Sequence, residues 1–155
     1  MTYRITGIDP APYRHLHDLT DAELAEQGVV RMSVTAKPSF PCRVSLTDRE
    51  VGDKVLLLNH VSHDVAGPYR ASHAIFITEG ETERGDYVDE VPPMFEPRVL
   101  SLRGFNADGM MVDATLAQPG EADAGIRKLF ANDAIETIHA YNATRGCFAA
   151  RIERN

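Results

Sequence analysis

The chain has no tryptophan, only two cysteines and only three lysines. It also lacks any run of about 18–20 consecutive apolar residues, which excludes a membrane-spanning helix. Two cysteines in 155 residues exclude a scaffold stapled by disulfides. A net charge of −7 excludes a sequence-independent grip on nucleic acid or on an anionic membrane surface as the main role. Residues 1–10 (Met-Thr-Tyr-Arg-Ile-Thr-Gly-Ile-Asp-Pro) lack the apolar core of a signal peptide. The expectation is a cytoplasmic protein whose Cys42 and Cys147 stay reduced, and whose Asn142-Ala143-Thr144 sequon is a chance match.

What is present is ordinary for a globular protein: 43% hydrophobic and 25% charged residues, with chain enough for one domain over residues 1–155. Arginine outnumbers lysine thirteen to three. Codon bias of a GC-rich genome is the expected source of the bulk ratio, so only particular arginines carry functional weight.

The strongest local signal is a helix start. Thr20 and Glu23 have capping-box spacing, Leu19 and Leu24 hold the staple positions, and Gly28 ends a helix over 21–27. Residues 3–8, 29–35, 55–58 and 72–78 read as strands. Residues 59–70 read as a polar, turn-rich segment, and the acidic run from Glu79 to Glu90 as a solvated loop. Residues 98–105 and 110–116 flank the turn Asn106-Ala107-Asp108-Gly109. A second helix covers roughly 121–131, with Ile126, Leu129 and Phe130 on its apolar stripe. Residues 134–141 and 147–153 form a last pair of strands around a turn at 142–146. The predicted class is α+β, with a mostly antiparallel, curved or barrel-like sheet and two short helices.

No phosphate loop, Gly-x-Gly-x-x-Gly, Gly-x-Ser-x-Gly, His-Glu-x-x-His or Cys-x-x-Cys occurs. What remains is a constellation at element ends: Pro41-Cys42-Arg43, then Pro68-Tyr69-Arg70-Ala71-Ser72-His73, then Ser101-Leu102-Arg103, then residues 139–148 (His-Ala-Tyr-Asn-Ala-Thr-Arg-Gly-Cys-Phe).

Three stretches, residues 40–46 (Phe-Pro-Cys-Arg-Val-Ser-Leu), 68–76 (Pro-Tyr-Arg-Ala-Ser-His-Ala-Ile-Phe) and 145–151 (Arg-Gly-Cys-Phe-Ala-Ala-Arg), make the chain resemble the uncharacterised bacterial family DUF1203 from its first strand to Arg151. The resemblance implies a small bacterial protein without an established activity. It supplies no catalytic residues, so the chemistry rests on residue types.

Cys42 and Cys147 each have an arginine nearby, which favours the reactive thiolate, and they are redox candidates if they meet. The plain alternative is two buried core thiols. His73 and His139, with Cys147, are the candidate catalytic residues, since neutral imidazoles move protons near pH 7. His139 and Tyr141 share a strand face by the period of two. Each histidine could equally be a core residue satisfied by carbonyls. Arg43, Arg70, Arg103, Asn142 and Arg145 are the candidate ligand-binding residues, suited to a carboxylate or phosphate. Asp113 is a ready structural partner for Arg103. His60, His63 and His73 have only loose metal spacing, so no metal site is assigned, and the cofactor is left open. His15 and His17 read as surface residues.

The expected function is a site for a small anionic molecule, with catalysis open. The alternative is a non-catalytic, homo-oligomeric interaction protein, a homodimer being one form open to it, with an exposed patch around Met94, Phe95, Met111 and Val112.

Overall fold

The first helix forms where its capping box places it. In the computed structural model, which describes all of residues 1–155, α1 (Asp21–Glu26) opens with the Thr20 hydroxyl accepting the Glu23 N–H at 3.3 Å. The Glu23 carboxylate accepts the Thr20 N–H in return at 2.8 Å. The second helix, α2 (Ala122–Phe130), buries Ile126, Leu129 and Phe130. Two short 3-10 turns, at Ala11–Leu16 and Pro93–Phe95, complete the helical part. No helix is long and apolar enough to cross a membrane.

The strands are β1 (Tyr3–Thr6), β2 (Val30–Ser33), β3 (Pro41–Cys42), β4 (Thr47–Asp48), β5 (Lys54–His63), β6 (Ala71–Thr78), β7 (Asp86–Val88), β8 (Leu100–Phe105), β9 (Met111–Ala117), β10 (Thr137–Asn142) and β11 (Phe148–Arg154). They form two open sheets, ordered β7-β1-β11-β10-β8-β9 and β2-β5-β6-β3-β4. All pairs are antiparallel except β3 with β6. The fold is thus α+β and mostly antiparallel, but nothing closes into a barrel. No hydrogen-bonded ladder joins the two sets of strands; side-chain packing does, with single backbone bonds such as Ile8 N–H to the Arg43 carbonyl.

The six-stranded sheet presents Leu100, Leu102, Ile138, Ala140 and Ile152 to α2, in one core with Ile126, Leu129 and Phe130. Tyr141 and Phe148 instead enter a second core with Leu56, Leu58, Ile75 and Ile77 of the five-stranded sheet. The β10–β11 hairpin therefore belongs to both cores, and the loop at its end projects where the two sheets meet.

Three expectations need correcting. Residues 59–63 continue β5 rather than turning: Asn59 pairs with Ala74, His60 with His73 and Val61 with Ser72. Ladder hydrogen bonds to β6 outweigh the polar composition. The acidic run is not all loop, because Asp86–Val88 pairs with β1 while Arg4 bridges to Asp86 and Tyr87 packs on the core. Met94 and Phe95 are 0% and 1% exposed, so the supposed apolar patch lacks two of its four members.

Candidate functional site

The site starts from strand alternation at β3. Cys42 points into the core among Leu56, Ile75 and Ile77, so Arg43 takes the other side of the chain. Arg43 is only 1% exposed. Its Nε donates to the Phe148 carbonyl at 2.8 Å and its Nη1 to the Pro41 carbonyl at 2.7 Å. Its Nη2 donates to Cys147 Sγ at 3.1 Å. No carboxylate pairs with this buried cation. Burial works against its charge and pulls its pKa below the ordinary value, while the sulfur of Cys147 works the other way.

Cys147 and its neighbours sit on the turn between β10 and β11. The turn closes through the Gly146 N–H to the Asn142 carbonyl at 2.7 Å and the Asn142 N–H to the Cys147 carbonyl at 3.0 Å. Gly146 adopts φ +75°, a conformation open to glycine at little cost. The Asn142 side chain donates Nδ2 to Cys147 Sγ at 3.2 Å, and its buried Oδ1 has no partner. Arg145 is exposed and forms no ion pair.

These residues line one cleft of about 620 Å³ with Phe40, Phe76, Met32, Pro41 and Arg98. Phe40 and Phe76 form its apolar wall, with ring centres 5.1 Å apart. Arg98 is neutralised by a two-pronged pair with Asp48, at 2.7 and 2.6 Å. No aspartate or glutamate lines the cleft. Its size suits a small molecule.

Four of the sequence candidates, Arg43, Asn142, Arg145 and Cys147, thus come together. The others do not join them. Cys42 is fully buried, accepts the Thr78 N–H at 3.2 Å, and forms no disulfide. Arg70 is exposed and pairs with Asp64 at 3.1 Å. Arg103 stacks over the Tyr141 ring at 4.3 Å. The register sets Asp113 against Gly104 rather than Arg103, so the ion pair between Arg103 and Asp113 does not form.

The histidines make a second cluster between the sheets. His73 Nδ1 lies 2.7 Å from Ser62 Oγ, and its ring packs 5.2 Å from Tyr141. His60 Nδ1 lies 2.7 Å from Tyr13 Oη. His63 Nε2 meets the Gly109 carbonyl at 3.0 Å. His139 stands 4.8 Å from His63 and 3.4 Å from the Tyr141 hydroxyl, with its Nε2 buried and unpartnered. Burial lowers the pKa of His60, with His73 adding to it; burial also lowers that of His73, with Arg103 adding. His139 is pushed down to about 3 by burial and then by His63. All three are neutral at pH 7. No group of three or more His, Cys, Asp or Glu side chains stands where one metal ion could join them. Of the two remaining histidines, His15 is exposed beside Gln27, whereas His17 is half-buried and accepts the Gly80 N–H at 2.9 Å.

Sequence reasoning missed Arg98, the Phe40–Phe76 wall, Ser62 and Tyr13. Arg98 carried no signal beyond opening the strand read over 98–105, and its Asp48 partner lies fifty residues away. Ser62 could have been found had β5 been extended past Leu58, since it shares a face with His60.

The architecture defines a two-sheet α+β protein whose cationic, thiol-bearing cleft has the end of β3, the β10–β11 turn and the loop that carries Arg98 in its lining. The chain belongs to the DUF1203 family, described as a protein of unknown function, whose model matches residues 39–154. That span holds every polar residue lining the cleft, while β1, α1 and β2 precede it. No curated protein and no solved structure matches the chain.

Proposed function

We propose that the cleft binds a small anion, a carboxylate or phosphate, between Arg43, Asn142 and Arg145. The observation that carries this reading is the buried Arg43 guanidinium without a carboxylate. A buried cation is normally balanced by an acid, and here the cleft leaves that countercharge to be supplied by a ligand. Three of its five N–H groups are occupied, by two carbonyls and the sulfur, which leaves one on each Nη. Arg145 at the rim adds a second charge without a partner. His73 and His139 do not line this cleft, so the reading gives them no part in binding.

The test is thermal unfolding of the purified protein with phosphate and small carboxylates, each alone. A specific ligand at about 100 times its Kd adds about 2.7 kcal/mol. For a domain this size that raises the midpoint by roughly 5–10 °C. The shift is expected to shrink strongly in Arg145→Ala, whose side chain is exposed and whose loss leaves the fold intact. Equal shifts in the wild type and Arg145→Ala, or no shift with any anion, would overturn the reading.

A further inference from the structure

We infer that Cys147 is a site of reversible covalent modification, exchanging with a low-molecular-mass disulfide that carries carboxylates. The inference rests on the anion-binding reading of the cleft and adds bond-making chemistry to it. Three observations lead to it.

First, Cys147 Sγ is an acceptor from two sides, from Arg43 Nη2 at 3.1 Å and Asn142 Nδ2 at 3.2 Å. Two donors aimed at one sulfur, one of them charged, hold that sulfur in place at the cleft. Second, the same guanidinium is almost wholly buried, lacks a carboxylate and lines the cleft, so an anionic group on a bound molecule would lie beside the sulfur. Third, Cys147 is half-buried and opens onto a space of about 620 Å³ with the Phe40–Phe76 wall, whereas Cys42 is sealed in the core. The sulfur that can be reached is the one set among cations.

The exchange balances without a further reagent. Cys147 gives its thiol proton to water and attacks one sulfur of R–S–S–R as it does so. The S–S bond of the small molecule breaks as a new S–S bond forms to Cys147. The departing RS⁻ takes a proton from water. Cys147 is oxidised, and one half of the small disulfide is reduced. Because Cys42 does not line the cleft, no second protein thiol resolves the adduct. It persists until an external thiol attacks it and returns Cys147 to the free form.

The experiment uses the full chain, reduced, with oxidised glutathione (anionic) or cystamine (cationic) at equal concentration, at low and high salt. Adducts are followed by intact mass and located by peptide mapping. The ratio of the glutathione rate to the cystamine rate is compared between the folded protein and the urea-unfolded chain, which cancels the intrinsic difference between the two disulfides. The expected result is one adduct, on Cys147, with a ratio at least tenfold higher in the folded protein. That preference falls at high salt, and falls about tenfold in Arg145→Ala, because one unit charge about 6 Å away in a water-like medium changes each rate about threefold, in opposite directions for the anion and the cation. Cys147→Ser forms no adduct. Asn142→Ala, which keeps the guanidinium contact, slows the reaction with both disulfides alike.

A folded protein whose Cys147 reacts with neither disulfide, or whose ratio equals that of the unfolded chain, would overturn the inference. The underlying reading is judged separately, on Cys147→Ser. If anions raise the midpoint of that variant, the cleft binds anions and only the covalent step is lost. If they leave it unmoved while the wild type forms the adduct with the stated preference, the covalent step stands and the anion reading falls.

Discussion

A guanidinium taken out of water needs its N–H groups satisfied, and Arg43 meets that need with a fork no other side chain supplies. Nε and Nη1 reach two carbonyls on different segments, Phe148 and Pro41, while Nη2 reaches a sulfur. Lysine keeps the charge but offers a single nitrogen, so at least one carbonyl would be left buried without a donor. Arg43→Lys is therefore expected to cost about 2–4 kcal/mol, read as a lower urea midpoint at unchanged slope. His139 makes a second residue-scale prediction. Its folded pKa of about 3 lies below the 6.5 of an ordinary imidazole. Between those values the unfolded chain holds a proton that the folded chain refuses, so stability present above pH 6.5 is lost as pH falls toward 3. From pH 7.5 to pH 5 the loss is about 2 kcal/mol, at about 1.4 kcal/mol per pH unit. Urea unfolding at the two pH values should show that part of the decline gone in His139→Leu. Burial of His60 and His73 leaves a remainder of the same sign. An identical decline in the variant would assign the acid sensitivity elsewhere. Removing His139 also removes an unpartnered Nε2, so the variant should lose little stability at pH 7.5.

At the scale of the element, local chemistry decides some parts and long-range pairing the rest. The capping box of α1 is local, and Thr20→Ala is expected to cost about 1 kcal/mol by thermal or urea unfolding. Arg31 of β2 limits the damage, because its contacts to Asp21, the Leu19 carbonyl and Glu79 tie the same N-terminal end of α1 to the sheet. Where β1 ends, the chain meets another backbone. A Cβ on Gly7 would lie 1.8 Å from the Val44 carbonyl oxygen, and the flanking bonds, Gly7 N–H to Gly85 and Ile8 N–H to Arg43, hold both segments in place. Backbone cannot step aside as a side-chain end can, so Gly7→Ala should cost more than about 2 kcal/mol, or prevent folding at 37 °C. The same division explains what the sequence revealed. The cap, the apolar stripe of α2, the hairpin around Asn106–Gly109 and the last two strands are written within a dozen residues each, and all were readable. The β5 extension through His63 was not, because its evidence is the partner strand β6. Nor was the split into two sheets, because no local pattern says which strands share a ladder. The cleft was half readable. Arg43, Asn142, Arg145 and Cys147 stood out by residue type, but so did Arg70, Arg103 and His73. Only the fold separates the two groups, by turning Arg43 away from the core and carrying the 143–147 turn over it.

Over the whole molecule, the two sheets share no ladder, yet they are not independent. Tyr141 and Phe148 grow from the six-stranded sheet and lie in the core of the five-stranded one. Arg43 crosses in the other direction, from the end of β3 to the Phe148 carbonyl. Separating the sheets would expose both rings and break the Arg43 fork, while each sheet alone would keep one poorly covered face. The intermediate with one sheet folded thus loses much of the stability and regains only part of the chain entropy, which predicts a single cooperative unfolding transition. The chain has five tyrosines and no tryptophan, so tyrosine fluorescence reports the tertiary packing while far-UV circular dichroism reports the strands and helices. The two curves should coincide in the wild type. Tyr141→Ala, which empties the shared core, should lower the midpoint of both together by the equivalent of about 3–5 kcal/mol. Tyr141→Phe, which keeps the ring and gives up only the long contact to His139, should move it by less than about 1 kcal/mol. Two separated transitions in the wild type would mean that each sheet folds on its own. The cleft, built from a turn of one sheet and a strand end of the other, would then open when either sheet unfolds.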